Sequence, residues 1–139
     1  MNGNYANWMF DREPAGTFAH GHIFIGAPDL AAARENPENG YWHCDIADHD
    51  SLTWSDKVYE LFGLSAGTPI SRDMAVACYA EHSKKALDEM RQAALRRDFG
   101  FILDAEINSG ASSRWIRVLA VPILADGRVV GLHGVKKAL

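Results

Sequence analysis

The sequence predicts a single α+β domain with a five-stranded antiparallel sheet, and three observations support this prediction. Two segments with the two-residue periodicity of strands come first, at 40–46 and 51–54. Helical patterns follow, and three more strand patterns close the chain at 101–108, 113–123 and 128–135. Strands grouped before and after helices, without regular alternation, are typical of α+β folds with antiparallel sheets. The 139 residues are enough for one hydrophobic core.

Helices and turns can be placed between these strands. Ser55 is a favoured helix N-cap and Gly63 a favoured C-cap, so we expect a short helix between them, with the Ser55 hydroxyl accepting from the first turn. Residues 70–79 predict a short irregular helix. Residues 81–97 have an apolar stripe with charged residues around it, which predicts a long amphipathic helix. Asp126-Gly127 predicts a hairpin turn.

Residues 1–39 form an N-terminal extension ahead of these elements. Residues 20–25 can form a short strand, and 28–35 read as a short helix with proline in its first turn. Trp8 and Phe10 are too apolar for a free tail. We therefore expect this extension to be covered by another surface.

The first predicted strand carries Gly40, Trp42 and Asp45, and the first predicted helix begins at Trp54-Ser55-Asp56. These residues and the order of the elements resemble a PAS domain of the subtype common in bacterial sensor histidine kinases. The resemblance spans roughly residues 40–135. Cys44 stands where the subtype has a second tryptophan, and Ala105 where it has an aromatic residue. The matching residues are Gly40, Trp42, Asp45, Trp54, Ser55, Asp56, Tyr59, Phe62, Gly63, Phe101, Leu103, Asp104, Ile107, Arg114, Trp115, Pro122, Asp126, Gly127, Arg128, Gly134 and Val135.

The resemblance implies a PAS domain at 40–137, with a five-stranded sheet flanked by short helices and one long helix. PAS domains variously hold haem, flavin, small metabolites or nothing, so the cofactor stays unknown at this point. The flavin type that senses light needs a cysteine in a Gly-x-Asn-Cys-Arg-Phe-Leu-like helix, a context that Cys44 and Cys78 lack. Haem needs an axial ligand, and the long helix offers only His82, which we expect to be exposed.

Composition argues against several other functions. A formal net charge of -4 argues against nucleic-acid binding, which needs a concentrated basic surface. Cys44 and Cys78 have no metal-ligand spacing, so we expect buried free thiols and no metal site. The sequence has no apolar run of transmembrane length and no signal peptide, so we expect a cytoplasmic protein without a membrane partner.

The small residues at two strand positions predict a cavity. If Cys44 and Ala105 both face inward, the missing side chains leave a void, and an empty void costs ~24 cal/mol per Å³. We expect a mostly apolar ligand cavity bounded by Cys44, Met90, Ala105, Val118 and His133, with His133 as its polar anchor. The alternative is that the long helix packs closer and leaves no void.

A homodimer is expected from the apolar extension and from the outer face of the sheet. Trp115 and Leu119 share strand parity, opposite to Val118, and related PAS domains commonly dimerise through this face. The candidate interface residues are Trp8, Phe10, Trp115 and Leu119. The alternative is a monomer in which the extension folds back on its own sheet.

We expect a non-catalytic sensory PAS domain of bacterial two-component signalling, which binds a small ligand or a protein partner and signals through association. No output helix follows the last strand, which favours a free-standing PAS protein over a fragment of a longer kinase. One alternative is a ligand-free dimerisation or interaction module of a sensor kinase. Another is a small α+β enzyme with acid–base groups at His43, Asp45 and His133.

Overall fold

The computed structural model describes residues 10–97, 99–109 and 112–139, with the backbone alone at 23–25 and 109. All of its named strands belong to one six-stranded antiparallel sheet. The strands are β1 (His22–Ile25), β2 (Gly40–Asp45), β3 (Ser51–Trp54), β4 (Gly100–Ser109), β5 (Ser112–Ala125) and β6 (Arg128–Ala138). Their order across the sheet is β1-β4-β5-β6-β2-β3. Strands β2 to β6 are the five predicted strands, and β1 adds a sixth beside β4.

Residues 10–12 are helical, which the sequence analysis did not predict, whereas the helices after β1 lie where the sequence predicts them. They are α1 (Ala27–Arg34), α2 (Asp56–Leu61), α3 (Arg72–Ala77) and α4 (Glu81–Arg97), and a 3-10 turn (Ile46–Asp48) joins β2 to β3. Within the described residues, no helix has both the length and the apolar character needed to cross a membrane.

The predictions for one turn and for one helix cap have different outcomes. Asp126 and Gly127 have φ angles of 52° and 76°, which confirms the tight hairpin between β5 and β6. The predicted cap at Ser55 is wrong in its detail. Ser55 is the N-cap residue of α2, but its hydroxyl accepts from the backbone N–H of Tyr41 at 3.0 Å instead of from the helix. The serine therefore joins the helix start to β2.

The inner face of the sheet packs against α2, α3 and α4 and forms the main core. Side chains from alternate positions of β2, β4, β5 and β6 contribute to it, as the strand periodicity predicts. Three aromatic pairs run through this core, Trp54–Tyr59, Trp54–Phe62 and Phe62–Tyr79, with ring centroids 5.3, 4.7 and 5.8 Å apart. The aromatic side chains thus form one continuous cluster.

The outer face of the sheet is covered by the chain's own N-terminal residues. A second core consists of Phe10, Phe18, Leu30, Ala33, Ile102, Leu119, Val121 and Val135. Half of these residues precede the predicted PAS region and half lie on β4, β5 and β6. The extension therefore supplies apolar cover for the sheet, as expected from its composition.

A buried ion pair also binds this segment to the sheet. Arg117 on β5 and Asp104 on β4 lie opposite each other, with Nε 2.7 Å from Oδ1 and Nη2 2.9 Å from Oδ2. The Phe18 N–H donates to Asp104 Oδ2 at 3.0 Å. The Arg117 guanidinium donates 2.8–3.0 Å hydrogen bonds to the backbone carbonyls of Phe10, Glu13 and Pro14. Polar as well as apolar contacts therefore hold the extension in place.

Candidate functional site

A small cavity lies between the inner face of the sheet and the helices α3 and α4. Its volume is ≈ 70 Å³, well above the roughly 10–15 Å³ needed for one water. It is smaller than the ~300–1,000 Å³ typical of sites for drug-sized ligands. The cavity therefore suits a compact molecule. Its walls are formed by Trp42, Cys44, Leu52, Trp54, Arg72, Ala75, Val76, Tyr79, Leu87, Arg91, Phe101, Val118, Leu132 and Lys136.

Lys136 contributes a buried amino group to this cavity. Strand β6 continues to Ala138, and Lys136 has the same inward parity as Leu132. The lysine is only 8% exposed, and its Nζ donates to the Tyr79 hydroxyl at 3.0 Å. In the described part of the chain, no carboxylate lies within the 4.0 Å of an ion pair with it. Its charge is therefore not neutralised by a counter-ion there.

Four aromatic rings lie around the lysine nitrogen. The Nζ is 5.0 Å from the Phe62 ring centroid, 5.2 Å from Trp42, and 5.6 Å from both Trp54 and Tyr79. Ring faces attract a cation at such distances, but they replace only part of its lost hydration. Burial lowers the pKa of Lys136 from its ordinary 10.5 to about 7, with a smaller opposing effect from the neighbouring cysteines. Near neutral pH the group therefore exists in both charged and uncharged forms.

Two of the residues that line the cavity, Trp42 and Tyr79, carry hydrogen-bond donors. The buried indole N–H of Trp42 has no partner in the described residues. Burial raises the pKa of Tyr79, so its hydroxyl keeps its proton while accepting from Lys136. A buried donor without an acceptor costs about 1–3 kcal/mol. An acceptor placed in the cavity would relieve this cost.

Arg72 on α3 and Arg91 on α4 line the cavity. The Nη2 atom of Arg91 lies 2.9 Å from Asp50 Oδ1, and the Cys44 thiol lies 3.8 Å from the same oxygen. Burial and then the Asp50 carboxylate raise the pKa of Cys44, which keeps the thiol protonated. Arg72 has no ion pair with any described residue. The lining thus carries cationic groups and no acidic side chain of its own.

Of the five residues predicted for the cavity, Cys44 and Val118 line it. Ala105 is fully buried in the main core but is not part of the cavity lining. Met90 lies apart, against Gly21, where any Cβ would overlap its sulfur atom. Cys44 and Ala105, the two small residues, therefore do not border the same cavity.

The choice of His133 as polar anchor is wrong. Leu132 faces the inner core, so the next residue on the strand faces the opposite side of the sheet. The Nδ1 atom of His133 lies 2.7 Å from the Tyr41 hydroxyl, and the two rings meet edge to face. Burial, with additional effects of His43 and Arg34, lowers the pKa of His133. A buried amino group, that of Lys136, lines the cavity instead.

The residues of the enzyme alternative form no acid–base pair. His43 lies opposite His133 in the register of β2 and β6, and Asp45 lies opposite Gly131. In the described residues, no hydrogen bond or ion pair joins Asp45 to either histidine. His82, the histidine of the long helix, is exposed and lies 3.1 Å from Glu106, away from the cavity. No group of three potential metal ligands is found in the described residues.

The structure places the predicted interface residues in different surroundings. Phe10 and Leu119 are both 0% exposed inside the second core, which corrects their assignment to a contact with another copy. Trp115 is half-buried, with its ring centroid 6.2 Å from that of His82. Trp8 lies outside the described residues. The observed contacts are those of an extension folded back on its own sheet.

Comparisons identify the fold. No protein-family model matches the chain, and no curated protein matches it in sequence. Several solved structures are similar. A diguanylate cyclase N-terminal domain with a PAS/PAC sensor from Marinobacter aquaeolei is 14% identical, with a TM-score of 0.64; the match covers 72% of this chain and 94% of that one. A sensory box histidine kinase/response regulator from Burkholderia thailandensis is 12% identical, with a TM-score of 0.65 and coverages of 78% and 82%.

A third similar structure is an RNA-binding light-oxygen-voltage receptor, 16% identical with a TM-score of 0.64. The match covers 73% of this chain, which spans only 29% of the receptor. The chain has the PAS fold, as its sequence motifs predict, and identities this low establish the fold alone.

Proposed function

We propose that this chain is a non-catalytic sensory PAS domain of a signalling protein, which binds a small molecule in its cavity. The observation that carries this proposal is the cavity itself, where an aromatic wall and a buried, unpaired Lys136 meet between the sheet and the helices. Similarity to sensor domains of a diguanylate cyclase and a histidine kinase supports it. In this proposal residues 40–137 are the PAS domain, and 1–39 are an extension whose described residues cover the outer face of the sheet.

Ligand binding would be transmitted through the helices that form the cavity wall. Arg72 and Val76 on α3 line the cavity, while Met74 on the same helix is 50% exposed. A ligand that moves α3 would therefore change a surface available to another protein. We propose that the domain signals by association, with a second copy or a different signalling protein. Light scattering of the full chain with and without ligand measures this directly.

A ligand screen tests the proposal. The full chain is examined by native mass spectrometry, and its thermal unfolding is followed with a panel of small carboxylates, amides, alcohols and amines. At least one compound should raise the melting temperature. The variant Ala75→Leu fills the cavity and should lose this response. The control Ala77→Leu changes an exposed position of the same helix and should keep it.

Other results would overturn the proposal. No retained molecule and no thermal response to any compound would favour the ligand-free interaction module. Chemical turnover of a bound compound would favour the enzyme alternative.

A further inference from the structure

We propose that the cavity binds a small organic carboxylate, whose carboxyl group pairs with Lys136 and whose apolar part contacts the aromatic and aliphatic walls. This assignment rests on the proposed ligand-binding function and adds the chemical class of the ligand.

The charges around the cavity favour an anionic ligand. Lys136 is buried, and its amino group contacts one hydroxyl and four rings but no described carboxylate. Asp50, an acidic group in contact with the lining residue Arg91, is already paired with that arginine. Arg72 adds a further positive charge to the wall. A buried cation is stable when it is paired and hydrogen-bonded, so a negatively charged ligand supplies what the cavity lacks.

The hydrogen-bonding groups require acceptors. The Trp42 N–H has no acceptor in the described residues, and the Tyr79 hydroxyl, which accepts from Lys136, has its own proton left to donate. An ionised carboxylate accepts through both oxygens and donates nothing. A carboxylate therefore has enough acceptor positions for the lysine, the indole and the phenol, whereas an amine or an alcohol has fewer.

The size and lining of the cavity limit the rest of the ligand. A volume of ≈ 70 Å³ leaves little room beyond a carboxyl group and a short carbon chain. Leu52, Leu87 and Leu132 provide aliphatic contacts for that chain. We therefore expect short aliphatic monocarboxylates to fit the cavity better than longer ones.

Binding should also take up a proton. At pH 8 a lysine with a pKa of about 7 is largely uncharged, and an adjacent carboxylate favours its charged form. Burial raises the pKa values of Cys44, Cys78 and Tyr79, so these three groups keep their protons at pH 8. The arginines stay charged at this pH.

The titratable groups closest to the Lys136 amino group are Tyr79, which accepts its hydrogen bond, and Cys44 and Cys78, which act on its pKa. Arg72 and Arg91 line the same cavity, and Asp50 is paired with Arg91. Lys136 also borders a second pocket, whose charged residues are Glu38, Lys57, Glu60, Arg114 and Lys137.

The test uses the full chain and matched pairs of probes. Sodium acetate, propionate and butyrate are titrated beside acetamide, propionamide and butyramide at constant ionic strength. Each amide has nearly the shape of its carboxylate but no charge. Carboxylates should bind at least tenfold more tightly. Calorimetry at pH 8 in phosphate and in Tris should give different heats, because proton uptake draws on the buffer.

Two variants and a control locate the site. Lys136→Met should weaken carboxylate binding at least tenfold, whereas Lys137→Met, next along the strand and paired with Asp11 outside the cavity, should not. Trp42→Phe keeps a ring but removes the unpaired N–H, and should weaken binding severalfold. These effects together would support the assignment.

The assignment is overturned if amides bind as tightly as carboxylates, if Lys136→Met binds like the wild type, or if no carboxylate of the series binds. A neutral compound from the wider panel that binds and is excluded by Ala75→Leu would leave the proposed function standing and refute only the ligand class. No binding of any compound would refute both.

Discussion

Replacing Lys136 by methionine should make the protein more stable. The pKa of this lysine is about 7 in the folded protein, against an ordinary 10.5. At roughly 1.36 kcal/mol per pKa unit, the fold disfavours the ammonium form by about 5 kcal/mol relative to the unfolded chain. Methionine has similar length and no charge, so it removes this cost. It also loses the hydrogen bond to Tyr79. We expect a net gain of about 1–3 kcal/mol at pH 7.

The gain should depend on pH with a definite sign. Between pH 7 and 10.5 the unfolded chain keeps the lysine proton and the folded chain releases it, so wild-type stability rises with pH through this window. Below pH 7 both states hold the proton and the full cost is present. The advantage of Lys136→Met should therefore be largest at pH 6 and shrink steadily towards pH 10.

Urea unfolding followed by tryptophan fluorescence at pH 6, 7, 8.5 and 10 measures this difference. Lys137→Met is the control, because its partly exposed pair with Asp11 should contribute below about 1 kcal/mol at any of these pH values. The reasoning is refuted if Lys136→Met is less stable than the wild type at pH 6, or if its effect is the same at every pH.

Three other changes test the second core and the thiols. Arg117→Ala leaves Asp104 charged and buried, and should lower the free energy of unfolding by about 3–5 kcal/mol. The double variant Arg117→Met/Asp104→Leu removes both charges and should recover much of this loss. A chain that starts at Asn39 exposes the outer face of the sheet and should self-associate or unfold in sedimentation; an equally stable monomer would contradict this. At pH 8 a thiol reagent should modify Cys78 about tenfold faster than Cys44, because Cys44 is the more buried. The rate at Cys78 is measured in the Cys44→Ser variant, and the rate at Cys44 in the Cys78→Ser variant.

Most of the fold could be predicted because its signals are local. Strand alternation and helical periodicity depend on neighbouring residues, and the described strands and helices occur at the predicted positions. Parity within β5 correctly separates Val118 in the main core from Leu119 in the second core. The hairpin at Asp126-Gly127 follows from the conformations those residues tolerate.

The cavity could be predicted only in part because its composition depends on strand register. Cys44 lies opposite Leu132, and His43 lies opposite His133. A register one residue different would have placed His133 beside Cys44, and the sequence does not specify that choice. Lys136 was missed because two adjacent lysines near the end of a strand suggest exposure. Its parity with Leu132 was the available signal.

The ion pair of Arg117 and Asp104 could not be predicted, because it depends on the pairing of β4 with β5 and on where the extension lies. Composition indicated that Phe10 needed cover but not which surface would provide it. Long-range contacts of this kind leave no periodic pattern in the sequence.

The contacts of Arg117 also limit where this domain can be fused to another protein. The recognisable PAS motifs begin at Gly40, yet a chimera joined there would discard the carbonyls of Phe10, Glu13 and Pro14 that solvate a guanidinium with 0% exposure. The segment that the PAS motifs outline is therefore shorter than the segment that contributes to the two cores. A fusion junction in this protein belongs before Phe10.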